Sequence, residues 1–151
     1  MDPDLPGWLA ALPGVAAVAQ RAQALWVEAP ALDPPAMARA MAERGIRLAA
    51  ITAIPQSPDG ETTILYHYVT PALSINVRTR TRNNHLPSIA ALARPASWSE
   101  REIRDLFGVE FDGHPNPVPL LRPAGFAAGM LRAAMCGPTA PVQSPTARTT
   151  P

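Results

Sequence analysis

The chain has 151 residues, enough for one domain with a real core, and a formal net charge of +1 from thirteen basic and twelve acidic residues. That balance provides no general attraction to nucleic acid or to an anionic membrane surface. A single cysteine, Cys136, excludes an internal disulfide and any cysteine-rich iron–sulfur or zinc framework, and no apolar run reaches the ~18 residues of a membrane-crossing helix.

All thirteen basic residues are arginine, a compositional bias rather than a functional signal. Nineteen prolines and nine glycines imply many breaks and a non-globular end. The first residues, MDPDLPGW, are acidic and unlike a secretory signal, so the chain reads as soluble and cytoplasmic.

Residues 5–23 place Leu5, Trp8, Leu9, Leu12, Val15, Val18 and Ala22 as on an amphipathic helix interrupted around Pro13-Gly14. Residues 24–29 form a short strand. Asp33 then caps a helix with Pro34 at its first position, Met37, Ala40 and Met41 on one face, and Gly45 at its end. Residues 46–54 are apolar and β-branched, a second strand. Ser57-Pro58-Asp59-Gly60 is a turn. Residues 62–70 give a third strand. After Pro71, Leu73, Ile75 and Val77 alternate with Ser74, Asn76 and Arg78 in a half-buried fourth. Pro87 opens a short helix through Leu92, and Pro95 separates it from the next segment.

The densest segment is WSEREIRDLFGVEFDGHP, Trp98 to Pro115. Ser99 and Glu102 have capping-box spacing, and Trp98 and Ile103 have the spacing of a hydrophobic staple. Gly108 suits a left-handed end, so a helix of roughly two turns is expected over residues 100–107. Its buried stripe is Ile103, Leu106 and Phe107, with Glu100–Arg104 and Arg101–Asp105 as i, i+4 pairs on the polar face. Val109 and Phe111 then alternate with Glu110 and Asp112 in an extended piece, and Asp112-Gly113 turns the chain into His114-Pro115.

Glu100, Arg101, Glu102, Asp105, Leu106, Phe107 and Gly108, followed by Gly113, His114 and Pro115, resemble the signature of the 30 kDa subunit family of respiratory complex I, the NADH-quinone oxidoreductase. They equally resemble the matching subunit of membrane-bound, energy-converting nickel–iron hydrogenases and formate hydrogenlyases. That family follows Gly-His-Pro with Asp-Leu-Arg-Arg, where this chain has Asn116, Pro117, Val118 and Pro119 before Leu120-Leu121-Arg122. The element order argues a small α+β domain, an antiparallel-rich sheet with helices on one face, and the resemblance implies the same. It spans residues 1–123. Residues 124–136 are a weak helical extension, and 137–151 a Pro/Thr-rich tail expected to be disordered.

Competing chemistry is poorly supported. Glu100, Glu102, Asp105 and His114 could hold a metal or do acid–base work, but Arg101 and Arg104 share their turn. A polar network meeting a partner is the better reading. Arg78, Arg80 and Arg82 share a strand face that suits an interface better than phosphate. Tyr66 and Tyr68 fall on one face as a buried pair with satisfied hydroxyls, and His67 on the other. Cys136 is incidental. No phosphate loop, nucleophile elbow or zinc motif occurs.

The resemblance therefore implies an accessory, non-catalytic hydrophilic subunit of an NADH:quinone oxidoreductase-like complex. The ten signature residues would face the large catalytic subunit, which is quinone-reactive or of nickel–iron type. The chain itself would bind no cofactor, iron–sulfur clusters would lie in partner subunits, and the membrane's inner face would be met through those partners. The alternatives are the equivalent hydrogenase subunit or an independent anion-binding regulatory module.

Overall fold

The computed structural model describes residues 4–55 and 61–132. The order is α1 (Leu5–Ala10), β1 (Ala17–Arg21), β2 (Ala24–Glu28), α2 (Pro34–Glu43), β3 (Arg47–Pro55), β4 (Thr62–Val69), β5 (Ser74–Arg80), β6 (His85–Pro87), α3 (Arg94–Phe107) and β7 (Glu110–Asp112). Five strands form one sheet in the order β1-β2-β5-β4-β3, and β6 pairs with β7 in a small second sheet. All neighbours in the large sheet are antiparallel except β2 and β5. That parallel pair is joined by a crossover through α2, β3 and β4, as parallel strands require. The α+β class with an antiparallel-rich sheet is the one the sequence predicts.

Alternation decides the layers. Leu25 and Val27 of β2, Ile75 and Val77 of β5, and Ile64, Tyr66 and Tyr68 of β4 are buried in one core. Leu5 and Leu9 of α1, Met37 and Met41 of α2, and Ala96 and Ile103 of α3 join the same core. The helices thus cover one face, and each fully buried aliphatic side chain contributes about 1.5–3 kcal/mol. On the opposite face His67 lies between Thr52 (2.9 Å) and Asn76 (2.7 Å), and Arg78 pairs with Glu28 at 3.4 Å.

Three expected elements differ. The helix over 5–23 stops at Ala10, and residues 17–28 form the β1–β2 hairpin. Its turn sets Ala22 at φ 51, a left-handed conformation that alanine rarely signals. The helix over 87–92 is absent. His85–Pro87 pairs with β7, and a hydrogen-bonded turn follows, with Ala93 N donating to Ile89 O at 2.9 Å. The signature helix begins at Arg94, not at residue 100. Pro95 occupies its first turn, where a missing N–H costs nothing, so the proline starts the helix rather than separating it. Ser99 consequently lies inside the helix and caps nothing.

Asp33 does cap α2, accepting from Ala36 N at 3.2 Å. Gly45 follows α2 at φ 69, and Gly108 ends α3 at φ 67, both as expected. Met130–Arg132 enters a helical turn, while the turn over 57–60, Cys136 and the tail lie outside the described residues.

Candidate partner-docking site

α3 carries its acids inward. Ala96, Glu100, Ile103 and Asp105 are the buried residues of the helix, and Leu106 and Phe107 are half-buried. Of the expected apolar stripe, Ile103 is in the core and Phe107 packs against it, while the carboxylates of Glu100 and Asp105 are buried as well. Backbone geometry supplies the reason. After β6 the chain presents the Ile89 amide into the core, and Glu100 accepts it at 2.8 Å together with the Ser88 hydroxyl at 2.5 Å. Burial raises the Glu100 carboxyl to about 6, with Ser88 and Ile89 opposing the rise. The Tyr66 hydroxyl is also buried and raised, by desolvation first and then by the Glu100 charge. It finds no hydrogen-bond partner among the described residues, against the expectation of a satisfied tyrosine pair.

The side chain of His114 is buried beside this cluster, its Nε2 3.8 Å from Glu100 Oε2. Its Nδ1 accepts the Asn116 amide at 2.9 Å, so the ring proton sits on Nε2, which donates to Ser97 O at 3.2 Å. His114 therefore pins the turn after Gly113 onto the middle of α3.

The remaining signature charges grip the next segment. Arg101 donates to Val118 O (2.8 Å) and Pro119 O (3.1 Å). Arg104 donates to Pro117 O and pairs with Glu110 at 2.9 Å. Asp105 is 1% exposed, and its Oδ2 accepts three successive amides, Leu120 and Leu121 at 2.7 Å and Arg122 at 3.1 Å. Burial opposes its ionisation, but those amides and the Arg122 charge outweigh it and hold the carboxyl below its ordinary range. The Glu100–Arg104 and Arg101–Asp105 surface pairs read from spacing therefore do not form, because each member has a stronger partner elsewhere. Glu102 and Pro115 are exposed.

Residues 117–129 thus form a strap across α3. Farther along, Gly129 N donates to Asp105 O at 2.9 Å, and the Gly108 and Gly129 backbones lie side by side, with a Cβ on Gly108 falling 3.4 Å from Gly129 Cα, at van der Waals distance. Sequence reasoning missed Ser88, Ile89 and Arg122 as partners of the acids. A signal existed: prolines at 115, 117, 119 and 123 remove donors, leaving Leu120, Leu121 and Arg122 as three consecutive amides in need of an acceptor.

The space enclosed by Glu100, Arg104, Glu110 and His114 is about 10 Å³, room for one water and not for a substrate. Among the described residues no three His, Cys, Asp or Glu side chains are grouped to hold a metal. Arg78 and Arg80 share the open sheet face and pair with Glu28 and Glu61, while Arg82 lies beyond β5 in a bridge to His85.

The sequence profile of the family described as respiratory-chain NADH dehydrogenase, 30 Kd subunit, matches residues 26–138. The chain belongs to this family. Among curated members, the NADH-quinone oxidoreductase C/D subunit of Methylococcus capsulatus is 38% identical over 79 residues, 50% of this chain and 14% of that one. The NAD(P)H-quinone oxidoreductase J subunit of a Synechococcus species is 32% identical over 94 residues, 51% of this chain and 49% of that one. The chain thus spans at most about half the length of these relatives. The solved structure of a trypsin-resistant fragment of Nqo5 shares the 30 kDa subunit fold at TM-score 0.61 and 24% identity, covering 74% of this chain and 96% of the fragment. A chain of an archaeal membrane-bound sulfane sulfur reductase has the same fold at TM-score 0.64 and 24% identity, over 74% of this chain and 70% of that one.

Proposed function

We propose that this 30 kDa family member is an accessory hydrophilic subunit of a membrane-associated NADH:quinone oxidoreductase-like complex, docked on the large catalytic subunit. The observation that carries the reading is the signature helix itself. Arg101, Arg104 and Asp105 hold the strap, Glu100 holds the Ile89 amide, and the space they enclose admits no substrate. Such a device shapes a surface and performs no reaction of its own. In the Methylococcus relative, a C/D subunit by name, the matched stretch is only 14% of one polypeptide, which supports a permanent association with a much larger partner.

On this reading the chain binds no cofactor, iron–sulfur proteins in the complex carry the electrons, and contact with the inner face of the membrane is made through the partners. No described helix is long and apolar enough to cross a membrane. Removal of the chain should abolish quinone-linked oxidoreductase activity of the membranes, and its return should restore it. Unchanged activity would instead favour an independent module.

The equivalent subunit of a nickel–iron hydrogenase is the second reading. It is favoured by the departure at residues 116–119 from the Asp-Leu-Arg-Arg sequence expected after Gly-His-Pro. Nickel in the isolated complex would select it.

A further inference from the structure

A groove opens on the helical side of the sheet where α2 ends, sharing no lining residue with the space beside Glu100 and His114. Its volume is about 350 Å³, within the range of small-molecule sites. One side of it exists because side chains are missing. Ala38, Ala42 and Gly45 recur at i, i+4 and i+7, and a Cβ built on Gly45 would meet nothing within 4 Å. Leu92 and Ala93, from the turn before α3, also line the groove, with Leu92 44% exposed at its rim. Ile46, Leu48 and Tyr68 line it from the core, and each is buried.

Tyr68 gives this apolar groove a polar point. The residue is 2% exposed and stands opposite Leu48 across the β3–β4 pair. Its hydroxyl has no hydrogen-bond partner among the described residues. Whereas the Tyr66 hydroxyl is sealed in the core, that of Tyr68 reaches the groove. Burial pushes its ionisation well above that of an ordinary phenol, so it is a neutral donor. The amides nearby are spent: those of Gly45, Ile46, Leu92 and Ala93 donate to the carbonyls of Ala42, Met41 and Ile89. A water on the Tyr68 hydroxyl would lie among apolar side chains, short of the roughly two to four polar partners that an ordered water takes. A carboxylate there would be buried without a cation, at high cost, because the charged residue of the lining, Arg47, is exposed. A neutral carbonyl oxygen takes the one hydrogen bond on offer and leaves its carbon frame to the apolar walls. We infer that this groove binds a small, uncharged, apolar molecule whose carbonyl oxygen accepts a hydrogen bond from the Tyr68 hydroxyl.

Acetophenone and ethylbenzene share a carbon skeleton and differ by the carbonyl oxygen, and benzoate adds a charge. Each is titrated into the full chain, with the methyl NMR signals of Ala42, Ile46 and Leu92 as reporters. The expected result is saturable shifts at these methyls with acetophenone, bound about tenfold more tightly than ethylbenzene or benzoate, the usual worth of one hydrogen bond. Tyr68→Phe should remove that advantage, leave ethylbenzene binding unchanged and keep the thermal midpoint of the free chain, since the hydroxyl holds nothing in the fold. Ala42→Leu, at an exposed helix position, should fill the groove and abolish binding of both. Absence of shifts with acetophenone, equal affinity for ethylbenzene, or full acetophenone affinity in Tyr68→Phe would overturn the site. A Tyr68→Phe chain that melts several degrees lower would overturn it too, by showing the hydroxyl to be a structural group. Benzoate bound more tightly than acetophenone, with that binding lost in Arg47→Gln, would overturn the neutral class of ligand.

Discussion

Asp105 Oδ1 lies 3.6 Å from Arg122 Nε, while Oδ2 of the same carboxylate accepts the amides of residues 120–122. One buried anion thus organises an entire turn of the strap. Asp105→Ala would leave three amides and a cation without their acceptor and should cost about 3 kcal/mol or more in urea unfolding. Asp105→Asn keeps one acceptor oxygen and should cost less. Hydrogen exchange at Leu120, Leu121 and Arg122 should accelerate in both variants, more in the alanine one. Equal stability of all three proteins would show that the strap is not held from α3.

The two buried acids of α3 respond to pH with opposite sign. Glu100 is raised from 4.5 to about 6 in the fold, so its contribution to stability is fully present below pH 4.5 and lost as pH rises through 6, by about 2 kcal/mol. Glu100→Gln retains an acceptor for Ile89 N and should flatten the stability profile across that window. A decline of the same size in the variant would assign the titration to another group.

Asp105 is lowered in the fold, so its contribution is present above the ordinary 3.8 and disappears as pH falls below it through the folded value. Acid unfolding should therefore begin with the strap. Exchange at Leu120–Arg122 amides, followed by mass spectrometry below pH 4, should show their protection lost before that of β4 and β5.

Gly108 has φ 67 and room for a Cβ at van der Waals distance from Gly129, and Gly113 has φ 79 and nothing within 4 Å of where a Cβ would stand. Gly113→Ala should cost only the left-handed strain, about 1–2 kcal/mol. Gly108→Ala should cost about the same, because a Cβ there meets the Gly129 backbone only at van der Waals distance. A clearly larger cost at Gly108 would show that the Gly129 backbone has to move.

Most of the sheet was legible because β2 to β5 carry strong period-two patterns or β-branched runs, and α2 has explicit caps. The β1 hairpin was not, since AVAQR favours helix by composition and Ala22-Gln23 lacks turn chemistry. The start of α3 was misplaced because two valid N-terminal signals competed, Pro95 at the first turn and Ser99 with Glu102. Packing of Ala96 into the core selected the first. Ser99→Ala should therefore change stability by no more than about 0.5 kcal/mol, where loss of a true cap would cost about 1 kcal/mol. The resemblance picks out the signature residues, but the inward direction of Glu100 and Asp105 is not visible in it, because the amides of Ile89 and residues 120–122 that those acids accept lie far from them in sequence.

An accessory role stands or falls on what the chain associates with. Affinity purification of the tagged chain from mildly solubilised native membranes, with mass spectrometry of partners and iron and nickel analysis, measures this. An accessory subunit should bring with it a large catalytic subunit and iron–sulfur proteins in fixed proportion to the chain, with iron present. A soluble, metal-free chain recovered alone would contradict that role.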